Sequence, residues 1–195
     1  MVVKTLEQAS IKLEQFRPRK KWYRLFCKRS AVAVILRETD QGIDALMIKR
    51  AEREGDPWSG HMAFPGGRAD GDDHNSLHTA RRETWEEIGL DTNAHTQYLG
   101  RLSDVLSRSH MGHKSMVITP YLLTINNVPE FNINHEVAEV IWVPLAFLAD
   151  QHNRQTMQWR LKKVTLNLPC YFYQQRRIWG LSLMMLDELV GLIRA

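Results

Sequence analysis

The chain holds 195 residues, 44% hydrophobic and 25% charged, the composition of a globular domain long enough to bury its own core, which excludes a collagen, a coiled coil or a disordered tail. Its 26 basic and 22 acidic residues leave a net charge of +4, too mild an excess to argue for nucleic acid by itself. No run approaches the ~18 apolar residues of a membrane span, residues 1–16 lack the apolar core of a signal peptide, and Cys27 and Cys170 stand in no paired spacing, so a cytoplasmic protein without disulfide or zinc–thiolate scaffold is expected.

In chain order, Leu6, Ala9, Leu13 and Phe16 recur at spacings of three and four and predict a short amphipathic helix over residues 5–16. Residues 17–29 follow as a basic segment with Trp22, Tyr23 and Phe26 interleaved. They read either as a solvated linker whose aromatics pack on the domain, or as a surface for phosphates or acidic lipid heads. Ala31 to Leu36 and Asp44 to Arg50 read as a strand pair across a turn at 39–42, and the glycine- and proline-rich segment 53–73 as a long loop, a length that is usually functional. A helix is predicted over 76–88, with Leu77, Arg81, Thr84 and Ile88 on one face and Gly89 as its stop. Further strands are expected at 98–105, 117–125, 137–143 and 164–168, with a short helix opened by Pro144. Trp179, Leu183, Leu186, Val190 and Ile193 mark a last helix face.

The helix at 76–88 carries the chemistry. Glu83, Glu86 and Glu87 stand at i, i+3 and i+4 and project from one side, where like charges repel by roughly 0.2–0.5 kcal/mol per close pair. One reading is a solvated acidic face partnered by Arg81 and Arg82. The other joins these carboxylates to Phe64-Pro65-Gly66-Gly67, whose glycines let backbone carbonyls approach a ligand, in a hard-oxygen site for Mg²⁺ or Mn²⁺. His74 and His78 lie four apart with no third ligand at a familiar spacing, which does not make a zinc site. Trp58 either packs in the core or stacks on a base.

Gly67, then Arg82-Glu83-Thr84-Trp85-Glu86-Glu87-Ile88-Gly89-Leu90, resembles the Nudix box, G-x5-E-x7-R-E-U-x-E-E-x-G-U with U apolar. Thr84 takes one apolar place, the spacing from Gly67 to Arg82 is one residue longer, and Asp72, Asp73 and His74 stand where the early Glu is expected. The variant GGRADGDDHNSLHTARRE is similar to that of coenzyme A pyrophosphatase-like members. So are Lys49-Arg50-Ala51, the run from Asp56 to Pro65, and Ile178-Trp179-Gly180-Leu181-Ser182. Asp56 and His61 depart from that subgroup's signature, which has Arg and Glu there.

The resemblance implies an α/β/α sandwich with a mixed β-sheet and a loop-helix-loop, residues 30–195 forming the Nudix domain and 1–29 an N-terminal helix and basic segment. It also implies a metal-dependent hydrolase that cleaves the diphosphate of coenzyme A or a derivative. The alternatives are another nucleoside diphosphate derivative, such as a dinucleotide, ADP-ribose or a nucleotide sugar, and a catalytically silent binding module. Glu83, Glu86 and Glu87, with the Gly67 carbonyl, are the implied ligands of Mg²⁺ or Mn²⁺, and Arg82 orients a carboxylate. A base for the attacking water is expected at Glu136 or Glu139, each of which reads equally as a solvated strand-edge carboxylate. Arg50, Arg53, Arg68 and Lys114 are the expected phosphate contacts, Lys114 in a loop with Arg108, His110 and His113. The expected partner is a small nucleotide-like diphosphate, with no nucleic acid, no membrane span, and a homodimer as an open alternative.

Overall fold

A computed structural model describes residues 2–55, 58–107, 115–161 and 164–194. The first helix, α1 (Leu6–Glu14), starts at Thr5, whose side chain accepts the Gln8 N–H. Strands β1 (Lys28–Thr39) and β2 (Gly42–Arg50) form the expected pair, with β1 longer at its start, where it pairs with a later strand, and both longer at the turn, where Arg37–Thr39 pair with Gly42–Asp44. Two short strands, β3 (Met62–Ala63) and β4 (Gly66–Arg68), lie within the segment expected to be loop. The carboxylate helix is α2 (Ser76–Ile88), followed by α3 (Thr92–His95), β5 (Thr96–Arg101), β6 (Val105–Ser107), β7 (Met116–Ile125), β8 (Val137–Pro144) and α4 (Leu145–Ala149). The chain ends in β9 (Arg154–Leu161), β10 (Val164–Tyr173), β11 (Arg176–Trp179) and α5 (Gly180–Leu192).

Strands β1 to β8 make one mixed sheet along the path β3-β2-β1-β7-β5, with β4 and β8 added beside β1 and β2, and β6 beside β7. Its β1–β7 pair is parallel and the others are antiparallel. Strand alternation divides the apolar side chains between two faces. Val34, Leu36, Met47 and Leu122 meet Leu145 and Leu148 of α4 and Leu183, Leu186 and Leu189 of α5, with Ala9 and Leu13 of α1 in the same core. Ala33, Ile35, Leu46, Ile48 and Leu123 meet Ala80 and Ile88 of α2 on the other face. The result is the α/β/α sandwich, a sheet between two helical layers. Strands β9, β10 and β11 form a separate antiparallel sheet that sequence reading did not anticipate beyond its middle strand. Trp179 closes β11 instead of opening the last helix, because the left-handed Gly180 (φ 63) turns the chain between them. Among the described residues no helix is long and apolar enough to cross a membrane.

The sheet also fixes where the site lies. The starts of β1, β7 and β8 and the end of β2 share one edge region, because β1 and β7 run together while β2 opposes β1 and β8. Strand β4 pairs there, Gly66 opposite Val32 and Gly67 opposite Ala31.

Candidate functional site

Helix α2 is held against this edge by its two ends. Asn75 caps its start, accepting the N–H groups of Leu77 and His78, and Gly89 ends it in the left-handed conformation (φ 67) that glycine adopts at little cost. Of the expected face Thr84 and Ile88 are buried, while Thr79, Ala80 and Glu87 take the buried places expected for Leu77 and Arg81, and the small Thr79 and Ala80 let the helix sit close to β1 and β4. A second anchor comes from residues 126–136. Asn132 and Asn134 donate their backbone N–H groups to the carbonyls of Ile88 and Glu87, each at 3.0 Å, occupying acceptors that the end of a helix leaves unpaired. The Asn134 side chain in turn accepts the Glu136 N–H, and the Glu136 carbonyl accepts from Ala51, so Glu136 is held beside the carboxylate helix.

Glu87 is 3% exposed and accepts the Gly66 N–H at 2.8 Å. Burial, reinforced by the negative charges of Glu83 and Glu136, pushes its pKa up to about 8, against the opposing pull of that N–H and of Arg50. Glu83 is likewise raised, first by burial and further by Glu86 and Glu136, with Arg82 opposing. Its carboxylate lies against Gly67, where an added Cβ would fall 2.3 Å from Oε2. Gly66 (φ 146) has no room either, since a Cβ there would lie 2.3 Å from the Ala31 carbonyl oxygen.

Arg82 gathers the rest. Its Nε and Nη2 donate to the two oxygens of Asp73, Nη1 to Glu86, and Nη2 also to Glu83 (2.9 Å) and the Arg68 carbonyl (3.0 Å). The guanidinium holds the Asp73 carboxyl well below the usual carboxylate range, and His78 Nδ1 lies 2.9 Å from the same group. Asp73 is thus the member of the Asp72-Asp73-His74 cluster tied to the helix. The Gly67 carbonyl accepts from Ser30 Oγ at 2.5 Å.

The two base candidates occupy different settings. Glu136 pairs with Arg53 at 3.2 Å and is near enough to Glu83 and Glu87 to raise both. Glu139 is gripped by Arg176, 3.1 Å from Nε and 2.5 Å from Nη2, with Lys49 at 3.9 Å, and Arg176 lowers its pKa. Of the expected phosphate contacts, Arg50 ends β2 beside Glu87 and Arg53 is at Glu136. Arg68 is exposed at the end of β4, and Lys114 lies outside the described residues, as do Arg108, His110, His113 and Asp56. His61 packs edge-on against Trp179, ring centroids 5.1 Å apart, and its carbonyl accepts the Arg50 N–H. A cavity of about 650 Å³ opens elsewhere, between the β1–β2 and β10–β11 turns beside Arg37 and Trp142, with Glu139 on its rim.

The donors suit a hard divalent cation by their chemistry. They are oxygens only, three are carboxylates on one helix, and burial plus mutual repulsion already works against ionising two of them. Among the described residues no three side chains stand grouped as ligands, because Arg82 draws Glu83 and Glu86 onto its guanidinium. Sequence spacing identified the three glutamates. The Asn132–Asn134 latch and the Ser30 contact carry no signal readable without the fold.

Comparison with known proteins matches residues 28–167 to the NUDIX domain, whose hydrolases generally use divalent metal ions. An uncharacterized protein of Schizosaccharomyces pombe is 35% identical over 106 residues, 53% of this chain and 32% of its own length. The mouse mitochondrial coenzyme A diphosphatase NUDT8 is 31% identical over 147 residues, 73% of this chain and 67% of its own. The chain therefore spans about a third of the first relative's length and about two thirds of the second's. The crystal structure of a Caenorhabditis elegans Ap4A hydrolase binary complex superposes with a TM-score of 0.52 at 20% identity, over 62% of this chain and 82% of that one, a likeness of fold alone.

Proposed function

This chain belongs to the Nudix family, and from that premise we propose that it hydrolyses the diphosphate linkage of a nucleotide-like molecule, coenzyme A or a derivative first, using Mg²⁺ or Mn²⁺. The observation that carries the reading is that Glu83 lies against Gly67 and Glu87 accepts the Gly66 N–H, with the charge of Glu136 near enough to act on both and Glu87 raised to about 8. Carboxylates that repel one another in a buried setting favour a bound cation. Glu83, Glu86 and Glu87, with the Gly67 carbonyl, would hold the ion, which when bound neutralises charge on a diphosphate and favours ionisation of a water molecule.

The chain's own groups supply the rest. Arg82 fixes the directions of Glu83 and Glu86 by bonding both while Asp73 holds its other edge. The Gly66 N–H holds Glu87 at the start of β4. Glu136 takes the proton of the attacking water. Its backbone is fixed by Ala51 and Asn134, and its carboxylate can turn from the exposed Arg53 pair. Arg50 and Arg53 donate to phosphate oxygens as charged groups, with the exposed Arg68 available for a further phosphate; Lys114, also expected as a phosphate contact, lies outside the described residues. The activity in the mouse relative's name supports coenzyme A, which carries both a diphosphate and a further phosphate. Asp56 and His61 work against exclusive use of it, since a carboxylate in place of Arg repels an anionic ligand.

Chromatography of products from equal concentrations of coenzyme A, NADH, ADP-ribose and diadenosine polyphosphates tests the proposal. Adenosine 3′,5′-bisphosphate and 4′-phosphopantetheine are expected from coenzyme A, lost in chelator and restored by Mg²⁺ or Mn²⁺. Fast cleavage of another compound with no bisphosphate from coenzyme A would replace the substrate. Full turnover in thoroughly chelated protein would overturn the mechanism, and no turnover of any compound would leave a binding module.

A further inference from the structure

Seven of the thirteen residues from Arg17 to Arg29 are Lys or Arg, and no acidic residue stands between Glu14 and Glu38. A charge run of this kind is usually a solvated tether. Here the segment is tied down by one buried carboxylate. Asp104 accepts the Lys21 N–H at 3.0 Å, its own N–H donates to the Arg19 carbonyl, Arg24 lies 3.5 Å away, and Arg101 and Thr119 complete its partners. Ser103 Oγ accepts the Arg19 N–H beside it. What this anchoring displays is a short 3-10 turn, Trp22–Phe26, with Trp22 80% and Phe26 79% exposed, flanked by exposed Lys20, Lys28 and Arg29. The expectation that these aromatics pack on the domain fails for Trp22 and Phe26. Large apolar side chains left in water beside a cluster of cations mark an interaction surface.

We propose that this segment is a docking surface for anionic phospholipid membranes. The indole of Trp22 suits the headgroup level of a bilayer, Phe26 the acyl boundary, and Lys20, Lys28 and Arg29 a negatively charged leaflet. A single-stranded nucleic acid shares the attraction to cations. It binds, however, in a basic groove whose aromatics lie as stacking platforms, whereas these two are about four-fifths exposed. The surface adjoins β4, since the Arg29 carbonyl accepts the Ala69 N–H at 2.9 Å. Docking therefore holds the glycine strand and α2 near the membrane without using their side chains.

Cosedimentation of the full chain with vesicles of phosphatidylcholine alone and of phosphatidylcholine with phosphatidylglycerol tests this. Binding to the mixed vesicles, weakened by salt and absent from the neutral ones, is expected. Trp22→Ala with Phe26→Ala should weaken it by about tenfold or more, and Lys20→Glu with Lys28→Glu at least as much. Thermal melts and turnover should stay unchanged, because none of these side chains is buried or in the site. No binding to mixed vesicles, binding that survives both double substitutions, or equal binding to neutral vesicles would overturn the proposal. So would capture of a single-stranded oligonucleotide by a chain that ignores vesicles.

Discussion

Glu87 and Glu139 carry the same side chain, each within reach of arginine, and the fold sends them in opposite directions. Glu139, a third exposed on β8, meets Arg176 along two donors and Lys49 beyond, and its pKa falls below the ordinary 4.5. Glu87, 3% exposed on the buried face of α2, receives one backbone N–H and the charge of Arg50 while burial and the charges of Glu83 and Glu136 oppose it, and it rises to about 8. A carboxylate matched by cations is a tie between strands. One that is buried with other carboxylates has an unmet demand for positive charge, and only that demand can be used on a ligand.

The largest test of this contrast is substitution at Glu87. Glu87→Gln should lower kcat by about a hundredfold or more, because a buried group aimed at developing charge is lost, while Glu139→Gln should leave kcat within severalfold. Steady-state turnover with Mg²⁺ checks both, and equal losses would erase the distinction. Next, Glu136→Gln should lower kcat by about a hundredfold with little change in metal affinity, as loss of a general base does. A third test uses the glycine strand. A Cβ at Gly67 meets first the movable end of Glu83, so in Gly67→Ala the fold should survive with turnover reduced by about tenfold. Gly66→Ala meets the Ala31 backbone at 2.3 Å in a left-handed conformation and should unfold or badly destabilise the chain. Melting curves and turnover of the two variants separate these outcomes.

The pH dependence of stability sharpens the comparison further. In chelator, native Glu87 binds its proton more tightly than the unfolded chain does, so its contribution is neutral below about 4.5 and increasingly unfavourable as pH rises to about 8. Glu87→Gln should therefore match the parent near pH 4.5 and melt higher at pH 8. Glu139 has the reverse sign, with stability present above 4.5 and lost as pH falls below it. Glu139→Gln should cost no more than about 1 kcal/mol at pH 7, given its exposure, and progressively less as pH falls below 4.5. Denaturant melts across that range measure both.

The two settings also differ in how far the sequence disclosed them. The spacing of Glu83, Glu86 and Glu87, the Gly89 stop of α2, and the apolar runs of β1 and β2 are local signals, and the structure has these elements where periodicity puts them, while the Asn75 cap shows only in the fold. Strands β3 and β4 are two and three residues long and exist only through pairing with β2 and β1. In β9, Met157, Trp159 and Leu161 alternate among Gln and Arg, a weak pattern that its pairing with β10 completes. The resemblance implies that Arg82 orients a carboxylate, but two of its four partners, Asp73 and the Arg68 carbonyl, stay hidden because they reach it through folding of the loop. Arg176, which neutralises Glu139, lies thirty-seven residues further along the chain.

The bonds from Asn132 and Asn134 to the last carbonyls of α2 bear on motion as well as position. Residues 126–136 cannot lift away without freeing the Ile88 and Glu87 carbonyls together, so the loop and the final turn of the helix share one opening event. Native-state hydrogen exchange would register them as a single cooperative unit, Asn132 and Asn134 amides exchanging at a common rate. A ligand that quiets the carboxylate helix would then slow exchange at a loop it never touches.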